Sequence, residues 1–241
     1  MLGSGEPLRE EASMTAQDGR IDVLVVAASA PDLAGLRACL GENLVGTVRG
    51  LSVTSKVVGF GPANAASATA RGLAAVSPRG ILLLGTCGVY PGLPDYQPHD
   101  VVVTPRVVAL DHAVLQGGSE WPAPLSTTLE ASPAIVAGMS AGRHRTHVAS
   151  VASPLSFTRS DSLASRVTGA TGAHVENTEA YGVACAAAAV NVPFACVLGV
   201  ANIVGSTGRA DWQQFQREAA TQAANALTVW LQTGAAGLPF A

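Results

Sequence analysis

Two acidic residues and one amide are the side chains of this sequence best placed for chemistry. Glu176 and Glu179 lie three residues apart where an alanine-rich segment opens, in a chain of which only 13% of residues are charged. Asn202 ends the next apolar run, residues 194–202. Carboxylates are stabilised at a helix N-terminus by the helix dipole, which is a purely structural explanation. The alternative is a site, because polar groups at strand ends and helix starts converge in α/β proteins.

The composition excludes several classes of function. The chain has 241 residues, 48% of them hydrophobic, and a formal net charge of −3, which suits one α/β domain with a large core. Basic residues are scattered, so we expect neither a nucleic-acid partner nor a membrane surface. No apolar run approaches the roughly 18 residues that span a bilayer, and residues 1–20 resemble no secretory signal. We therefore predict a cytoplasmic protein.

The cysteines and histidines predict neither disulfides nor a metal site. The four cysteines show no C-x-x-C spacing and lie mostly in apolar runs, which is typical of reduced, buried thiols. The five histidines show no spacing of metal ligands.

The alternation of strand and helix patterns predicts one doubly wound α/β domain at residues 21–233, with a disordered extension at residues 1–20 and a tail at residues 234–241. Apolar or alternating runs predict strands at residues 21–28, 51–60, 80–84, 100–110, 147–153 and 194–201. Helices are predicted at residues 31–40, 62–76, 160–168 and 211–232, and from the acidic cluster to about residue 191. Residues 85–90 are expected to form a glycine-rich bend, and residues 115–146 mainly loops with one short helix.

Four segments, in this order, resemble those of the nucleoside phosphorylase/nucleosidase superfamily. They are GFGPANAA at residues 59–66, GTCG at 85–88, VENTEA at 175–180 and PFACVLGVAN at 193–202. The pattern is most similar to the futalosine hydrolase branch. That branch shows G-x-G-P-x-N-A-A, G-x-x-G-x-Y-P-G and E-N-x-E motifs, and an S-N-x-V-G segment with a following tryptophan, here Trp212.

This resemblance implies a fold and an activity. The fold is a three-layer α/β sandwich with a central mixed β-sheet flanked by helices. The activity is cleavage of the N-glycosidic bond of a purine nucleoside, without a metal or an organic cofactor. In the futalosine hydrolase branch the base released is hypoxanthine, in a menaquinone pathway. Relatives assemble as dimers or larger, so a homo-oligomer is expected.

The resemblance also implies roles for individual residues. Glu179 matches the glutamate that binds the ribose hydroxyls, and Asn202 matches the residue that bonds the purine N7 edge. Asp32 stands where relatives carry the glutamate that activates water, and Phe157 matches the aromatic ring that stacks on the base. Further substrate contacts are predicted from Thr86, Cys87, Gly88, Asn177 and Thr178.

Each role has a structural alternative. The carboxylates of Asp32 and Glu179 are also suited to helix N-termini, Asn202 is a common turn residue, and Phe157 is a candidate for the core. We place Glu176 one turn from Glu179 on the same helix and predict that it caps the helix or supports the site from behind.

Two features favour hydrolysis of a 6-oxopurine nucleoside. The amide of Asn202 donates a hydrogen bond but cannot transfer a proton, whereas relatives that act on 6-aminopurines usually carry aspartate there. Leu83 stands where phosphorylases place an arginine that holds phosphate, so the chain lacks an evident cation for that dianion.

Two departures from the family pattern keep other functions open. Leu198 and Ala201 replace an arginine and a serine that relatives often carry near Asn202. The alternatives are a methylthioadenosine/adenosylhomocysteine nucleosidase, a purine nucleoside phosphorylase, and a nucleoside-binding protein without catalytic activity.

Overall fold

The protein contains a mixed β-sheet flanked by helices. The structure is a computed structural model that describes residues 21–141 and 145–240. The predicted extension, residues 1–20, lies outside these ranges. The strands are β1 Val23–Ala27, β2 Val45–Val48, β3 Leu51–Val57, β4 Gly80–Val89, β5 Val101–Thr104, β6 Arg106–Leu110, β7 Thr128–Glu130, β8 Thr146–Val148, β9 Val151–Pro154, β10 Val175–Glu176 and β11 Phe194–Ile203. The helices are α1 Ala30–Leu33, α2 Arg37–Leu40, α3 Pro62–Val76, α4 His112–Leu115, α5 Pro133–Ser140, α6 Asp161–Thr171, α7 Ala180–Ala189 and α8 Gly208–Gln232, with a 3₁₀ turn, Ala34–Leu36, between α1 and α2.

Strand β4 is the centre of the sheet and is buried along nearly its whole length. It pairs in parallel with β1 on one side and with β11 on the other. Beyond β1 lie β3, which is parallel to β1, and β2, which is antiparallel to β3. Beyond β11 lie β5, antiparallel to β11, and β8, parallel to β5. The end of β4 pairs with β10, which leads through β9 and β6 to β7.

The parallel arrangement of β1, β4 and β11 decides where functional side chains meet. The carboxyl ends of parallel strands lie at one edge of a sheet, where ligands bind in α/β folds. The segment that carries Asp32 follows β1, residues 86–88 lie near the end of β4, and Asn202 lies near the end of β11. The register of β11 shifts between Val200 and Asn202, which pair with Cys87 and Gly88.

The predicted sandwich with a mixed sheet flanked by helices is confirmed, but some local predictions were wrong. Strand β4 does not bend at Gly85 and continues to Val89, because β11 and β10 pair with it to that residue. The predicted strand at residues 147–153 is two strands: β8 pairs with β5, and β9 pairs with β6 and β10. Glu176 lies on strand β10 rather than on helix α7.

The strand predicted at residues 100–110 and the last residues of the chain also differ from the sequence predictions. Pro105 separates β5 from β6 within the predicted strand at residues 100–110. The segment predicted as a tail packs on the fold: Leu238 is buried, and the indole N–H of Trp230 donates to the carbonyl of Ala236 at 2.9 Å. No helix in the described ranges is both long and apolar enough to cross a membrane.

Helices α3 and α7 pack closely because their contact consists of small residues. Gly182 of α7 lies against the first turn of α3, where a Cβ atom would be 2.1 Å from the carbonyl oxygen of Pro62 and 2.9 Å from the amide nitrogen of Ala66. Real Cβ atoms do not approach other atoms so closely, so only glycine permits this helix spacing. The spacing in turn sets the distance between the start of α3 and the start of α7.

Replacing Gly182 with alanine is therefore expected to destabilise the protein by about 1–3 kcal/mol through overpacking. The matched control is Gly169→Ala in helix α6, where a new Cβ would meet no atom within 4 Å. That control is expected to be neutral or stabilising, by roughly 0.5–1 kcal/mol, because alanine is the better helix former. Urea unfolding measures both, and equal midpoints for the two variants would contradict the packing argument.

Candidate active site

The residues singled out in the sequence line one cleft at the edge where β1, β4 and β11 end. The cleft encloses about 900 Å³, counted to its open mouth. Nine predicted site residues face it together: Asp32, Thr86, Cys87, Gly88, Phe157, Asn177, Thr178, Glu179 and Asn202. The structure thus brings into one place residues that are up to 170 positions apart in the sequence.

Glu179 is a buried carboxylate at the start of helix α7. Its Oε1 accepts hydrogen bonds from the Gly61 amide at 2.9 Å and from the Thr178 hydroxyl at 2.5 Å. Gly61 has a φ of +81°, which a glycine adopts without strain. Because both bonds end on Oε1, Oε2 is the oxygen left with capacity for ligand hydroxyls.

Asn177 fixes the turn that presents Glu179. Its Oδ1 accepts from the amides of Glu179 at 3.0 Å and Ala180 at 2.9 Å, and its Nδ2 donates to the Thr86 carbonyl at 3.1 Å. The first two bonds cap helix α7, as an asparagine does at a helix N-terminus. The third ties the turn to strand β4, so the position of the carboxylate follows the central strand.

Asp32 lies in helix α1, directly after β1, close enough to Glu179 for the two carboxylates to interact. Its Oδ2 accepts from the Ser29 amide at 3.0 Å and from the Ser29 hydroxyl at 2.6 Å. Asp32 therefore also has the structural role predicted for it, because its carboxylate caps helix α1. Oδ1 is the oxygen that remains for a ligand or a water molecule.

The two carboxylates make one end of the cleft negative. Burial raises the pKa of the Glu179 carboxyl; the bonds from Thr178 and Gly61 oppose the rise, and the nearby Asp32 carboxylate adds to it. Burial likewise raises the pKa of Asp32 against the opposing bonds from Ser29. Partly desolvated negative charges of this kind favour a positive charge that develops on a bound ligand.

Asn202 faces the cleft between two glycines that make room for its side chain. A Cβ on Gly88 would lie 2.8 Å from the Asn202 Nδ2, and a Cβ on Gly208 would lie 2.9 Å from it. The Nδ2 donates one hydrogen to the Ile203 carbonyl at 2.9 Å. One further N–H and the amide oxygen are left for a ligand.

The remaining strand residues give the cleft its floor. The indole N–H of Trp212 donates to the hydroxyl oxygen of Thr86 at 3.0 Å, which joins helix α8 to strand β4. Cys87 is a buried free thiol, and burial raises its pKa. A thiol that stays protonated is a poor nucleophile, so Cys87 contributes packing at this position.

Glu176 anchors the loop that carries Phe157. Its carboxylate accepts from the Thr158 amide at 3.0 Å, from the Thr158 hydroxyl, and from the Tyr90 hydroxyl at 2.9 Å. Burial raises the pKa of Glu176, and these bonds oppose the rise. Phe157 precedes Thr158 in this loop, lines the cleft and is 56% exposed. Glu176 therefore acts through the loop and does not cap a helix.

Two arginines of the cleft are not among the predicted site residues. Arg159 and Arg209 both line it, and the guanidinium carbon of Arg209 lies 6.0 Å from the centroid of the Phe157 ring. The two arginines are 50 positions apart and belong to none of the four recognised segments, so no motif or spacing pointed to them. Arg209 brings a guanidinium to the Asn202 end of the cleft, because it follows Gly208, which faces the Asn202 amide.

Comparisons with known proteins show which family the chain resembles. The Phosphorylase superfamily matches residues 24–231. The 5′-methylthioadenosine/S-adenosylhomocysteine nucleosidase of Helicobacter pylori has a similar structure, with a TM-score of 0.79, 13% identity, and coverage of 88% of this chain and 98% of that one. Futalosine hydrolase of Helicobacter pylori gives a TM-score of 0.77 at 14% identity, with 86% and 96% covered.

The corresponding nucleosidase of Neisseria meningitidis, in complex with methylthio-immucillin-A, gives a TM-score of 0.77 at 18% identity, with 88% and 99% covered. No curated protein sequence matches the chain. At these identities the solved structures establish the fold, and the family match covers nearly the whole described domain. The chain therefore belongs to the phosphorylase superfamily.

Proposed function

We propose that the protein hydrolyses the N-glycosidic bond of a purine nucleoside, with futalosine as the substrate and hypoxanthine as the base released. The observation that carries the proposal is that one cleft holds the Glu179 carboxylate and the Asn202 amide together. A nucleoside needs both: a group for its ribose hydroxyls and a group for the N7 edge of its base.

The negative end of the cleft suits the sugar. Cleavage of a glycosidic bond passes through a ribosyl cation of oxocarbenium character. Glu179 accepts hydrogen bonds from the ribose hydroxyls and faces this cation with a fixed negative charge. Asp32, at the same end, accepts the proton of the attacking water as general base. Thr178 and Asn177 hold Glu179 in position.

The opposite end suits a 6-oxopurine base. Asn202 keeps one N–H and its amide oxygen for the base, and Phe157 offers an exposed ring for stacking. An amide bonds a purine edge but cannot protonate it. The fold neighbours include both methylthioadenosine nucleosidases and a futalosine hydrolase, so the preference for hypoxanthine depends on Asn202 and on the E-N-x-E motif.

Hydrolysis is favoured over phosphorolysis by the charges at the sugar end. A phosphate nucleophile must approach the sugar carbon on the side opposite the base, where Asp32 and Glu179 lie. Leu83 lines the cleft as a buried apolar residue of β4. Arg159 and Arg209 lie with Phe157 at the base end, so they do not serve a dianion at the sugar end.

A base-release assay tests the proposed function. Futalosine, methylthioadenosine and inosine are each incubated with the purified protein, with and without inorganic phosphate. We expect hypoxanthine release from futalosine at the highest kcat/KM, with the same rate in both buffers. Faster adenine release from methylthioadenosine would indicate the nucleosidase alternative, and turnover only with phosphate would indicate a phosphorylase. Binding without turnover of any of the three would contradict an enzymatic function.

A further inference from the structure

Two unpaired cations lie at the base end of the cleft. Arg209 follows Gly208, whose position directly faces the Asn202 amide, and its guanidinium lies near the Phe157 ring. Within the described residues, neither Arg159 nor Arg209 forms an ion pair with a carboxylate. Both side chains are exposed, so their N–H donors are open to a ligand that enters the cleft.

The helix dipole does not favour an arginine at position 209. It is the second residue of the 25-residue helix α8, and a cation at a helix N-terminus is disfavoured by the helix dipole. The carboxylate of Asp161, at the start of helix α6, bonds Ser206 instead of Arg209. It accepts from the Ser206 amide at 2.7 Å and from the Ser206 hydroxyl at 2.9 Å. The positive end of α8 and the guanidinium thus act in the same direction, toward an anion in the cleft.

The chemistry at this end requires such a charge. When the glycosidic bond breaks, the electron pair goes to the base, which must be protonated or leave as an anion. Asn202 has no proton to transfer. Glu176 is the acid nearest the Phe157 loop, but both of its oxygens are already engaged: Oε1 accepts from the Thr158 amide, and Oε2 accepts from the Thr158 and Tyr90 hydroxyls.

We propose that Arg209, assisted by Arg159, stabilises the purine as a departing anion and so selects 6-oxopurine nucleosides; this inference rests on the proposed function. The bond between C1′ and the purine nitrogen breaks, and the electron pair moves onto the purine. Water adds to C1′, its proton passes to Asp32, and the purine anion later takes a proton from solvent. A guanidinium carries only donors, so it matches the O6 and N7 acceptors of hypoxanthine and mismatches the 6-amino group of adenine.

The test compares two leaving groups in the Arg209→Met variant. Inosine releases its base as an anion, whereas 7-methylinosine already carries a positive base and releases it neutral. We expect kcat for inosine to fall about 10-fold, less than for a donor in a water-excluded site because Arg209 is exposed to solvent, and kcat for 7-methylinosine to stay within about twofold of the wild type. Arg159→Met is expected to show the same pattern with a smaller loss. Arg217→Met, on the same helix but outside the cleft, is the control and is expected to change neither rate.

Equal losses with both substrates, or no loss with inosine, would overturn the proposal. A selective loss for inosine in Glu176→Gln, with none in Arg209→Met, would instead identify Glu176 as an acid that protonates the base. A second readout does not depend on turnover: calorimetry of hypoxanthine binding above and below the ionisation of the free base. The wild type is expected to bind the anion more tightly than the neutral base, and Arg209→Met is expected to lose that preference. If the wild type cleaves no nucleoside, the proposed function fails, and the binding measurement still decides whether Arg209 recognises a purine anion.

Discussion

Replacing Glu179 with glutamine is expected to lower kcat/KM by about 10²–10³-fold while the protein stays folded. The amide retains the shape of the side chain and an oxygen for the Gly61 amide, but it removes the charge that faces the ribosyl cation. The loss should appear mainly in kcat, because the cation forms only in the transition state. Steady-state kinetics of hypoxanthine release from futalosine measures it.

The stability of Glu179→Gln tests whether the Glu179 carboxyl is buried as the structure shows. Burial raises the pKa of Glu179 in the folded protein. As the pH rises from the unfolded pKa through the folded pKa, the unfolded chain loses its proton first, so ionisation of Glu179 lowers stability across that window. Glutamine removes this loss, and the variant is expected to be at least as stable as the wild type at neutral pH. Glu130→Gln, at an exposed position on β7, is the control for both measurements. Wild-type kcat/KM in Glu179→Gln would contradict the role of Glu179.

Replacing Asp32 with asparagine is expected to lower kcat by about 10²–10⁴-fold, the range for loss of a general base, with a small change in KM. The pH profile distinguishes this role from others. Burial raises the pKa of Asp32 above its ordinary value of 3.8, so wild-type kcat/KM should fall as the pH drops through that raised pKa. The residual activity of Asp32→Asn should lack this acid limb.

Ser29→Ala separates catalysis by Asp32 from its capping of helix α1. This variant removes the 2.6 Å bond from the Ser29 hydroxyl but keeps the carboxylate. Because that bond opposes the rise in pKa, its loss should move the acid limb to higher pH and change the maximal rate only slightly. An activity loss in Ser29→Ala as large as that in Asp32→Asn would show that Asp32 serves only the helix.

The motifs predicted residues that line one cleft because each motif lies at the end of a strand or the start of a helix. The parallel register of β1, β4 and β11 converts that sequence order into proximity, as it does for Asp32, Gly88 and Asn202. The glycines after Gly85 were misinterpreted as a bend. Gly88 is instead a strand residue whose missing side chain leaves space for the Asn202 amide, and the sequence does not distinguish a glycine that turns from one that makes room.

No local sequence pattern reports the tertiary structure that places Arg159 and Arg209 in the cleft and Glu176 on strand β10. Arg209 belongs to an amphipathic helix, where an arginine is ordinarily a solvated surface residue. Glu176 is separated from its partners Tyr90 and Thr158 by 86 and 18 positions. The cytoplasmic location, the homo-oligomeric state and the assigned residue roles stay predictions.

The most direct test is a crystal structure of the protein with a non-hydrolysable nucleoside analogue that carries hypoxanthine. We expect one bound molecule to place its ribose hydroxyls within hydrogen-bonding distance of the Glu179 carboxylate and its N7 edge within hydrogen-bonding distance of the Asn202 amide. An analogue that contacts only one of these two side chains, or that lies in the reverse orientation with its base against Glu179, would contradict it.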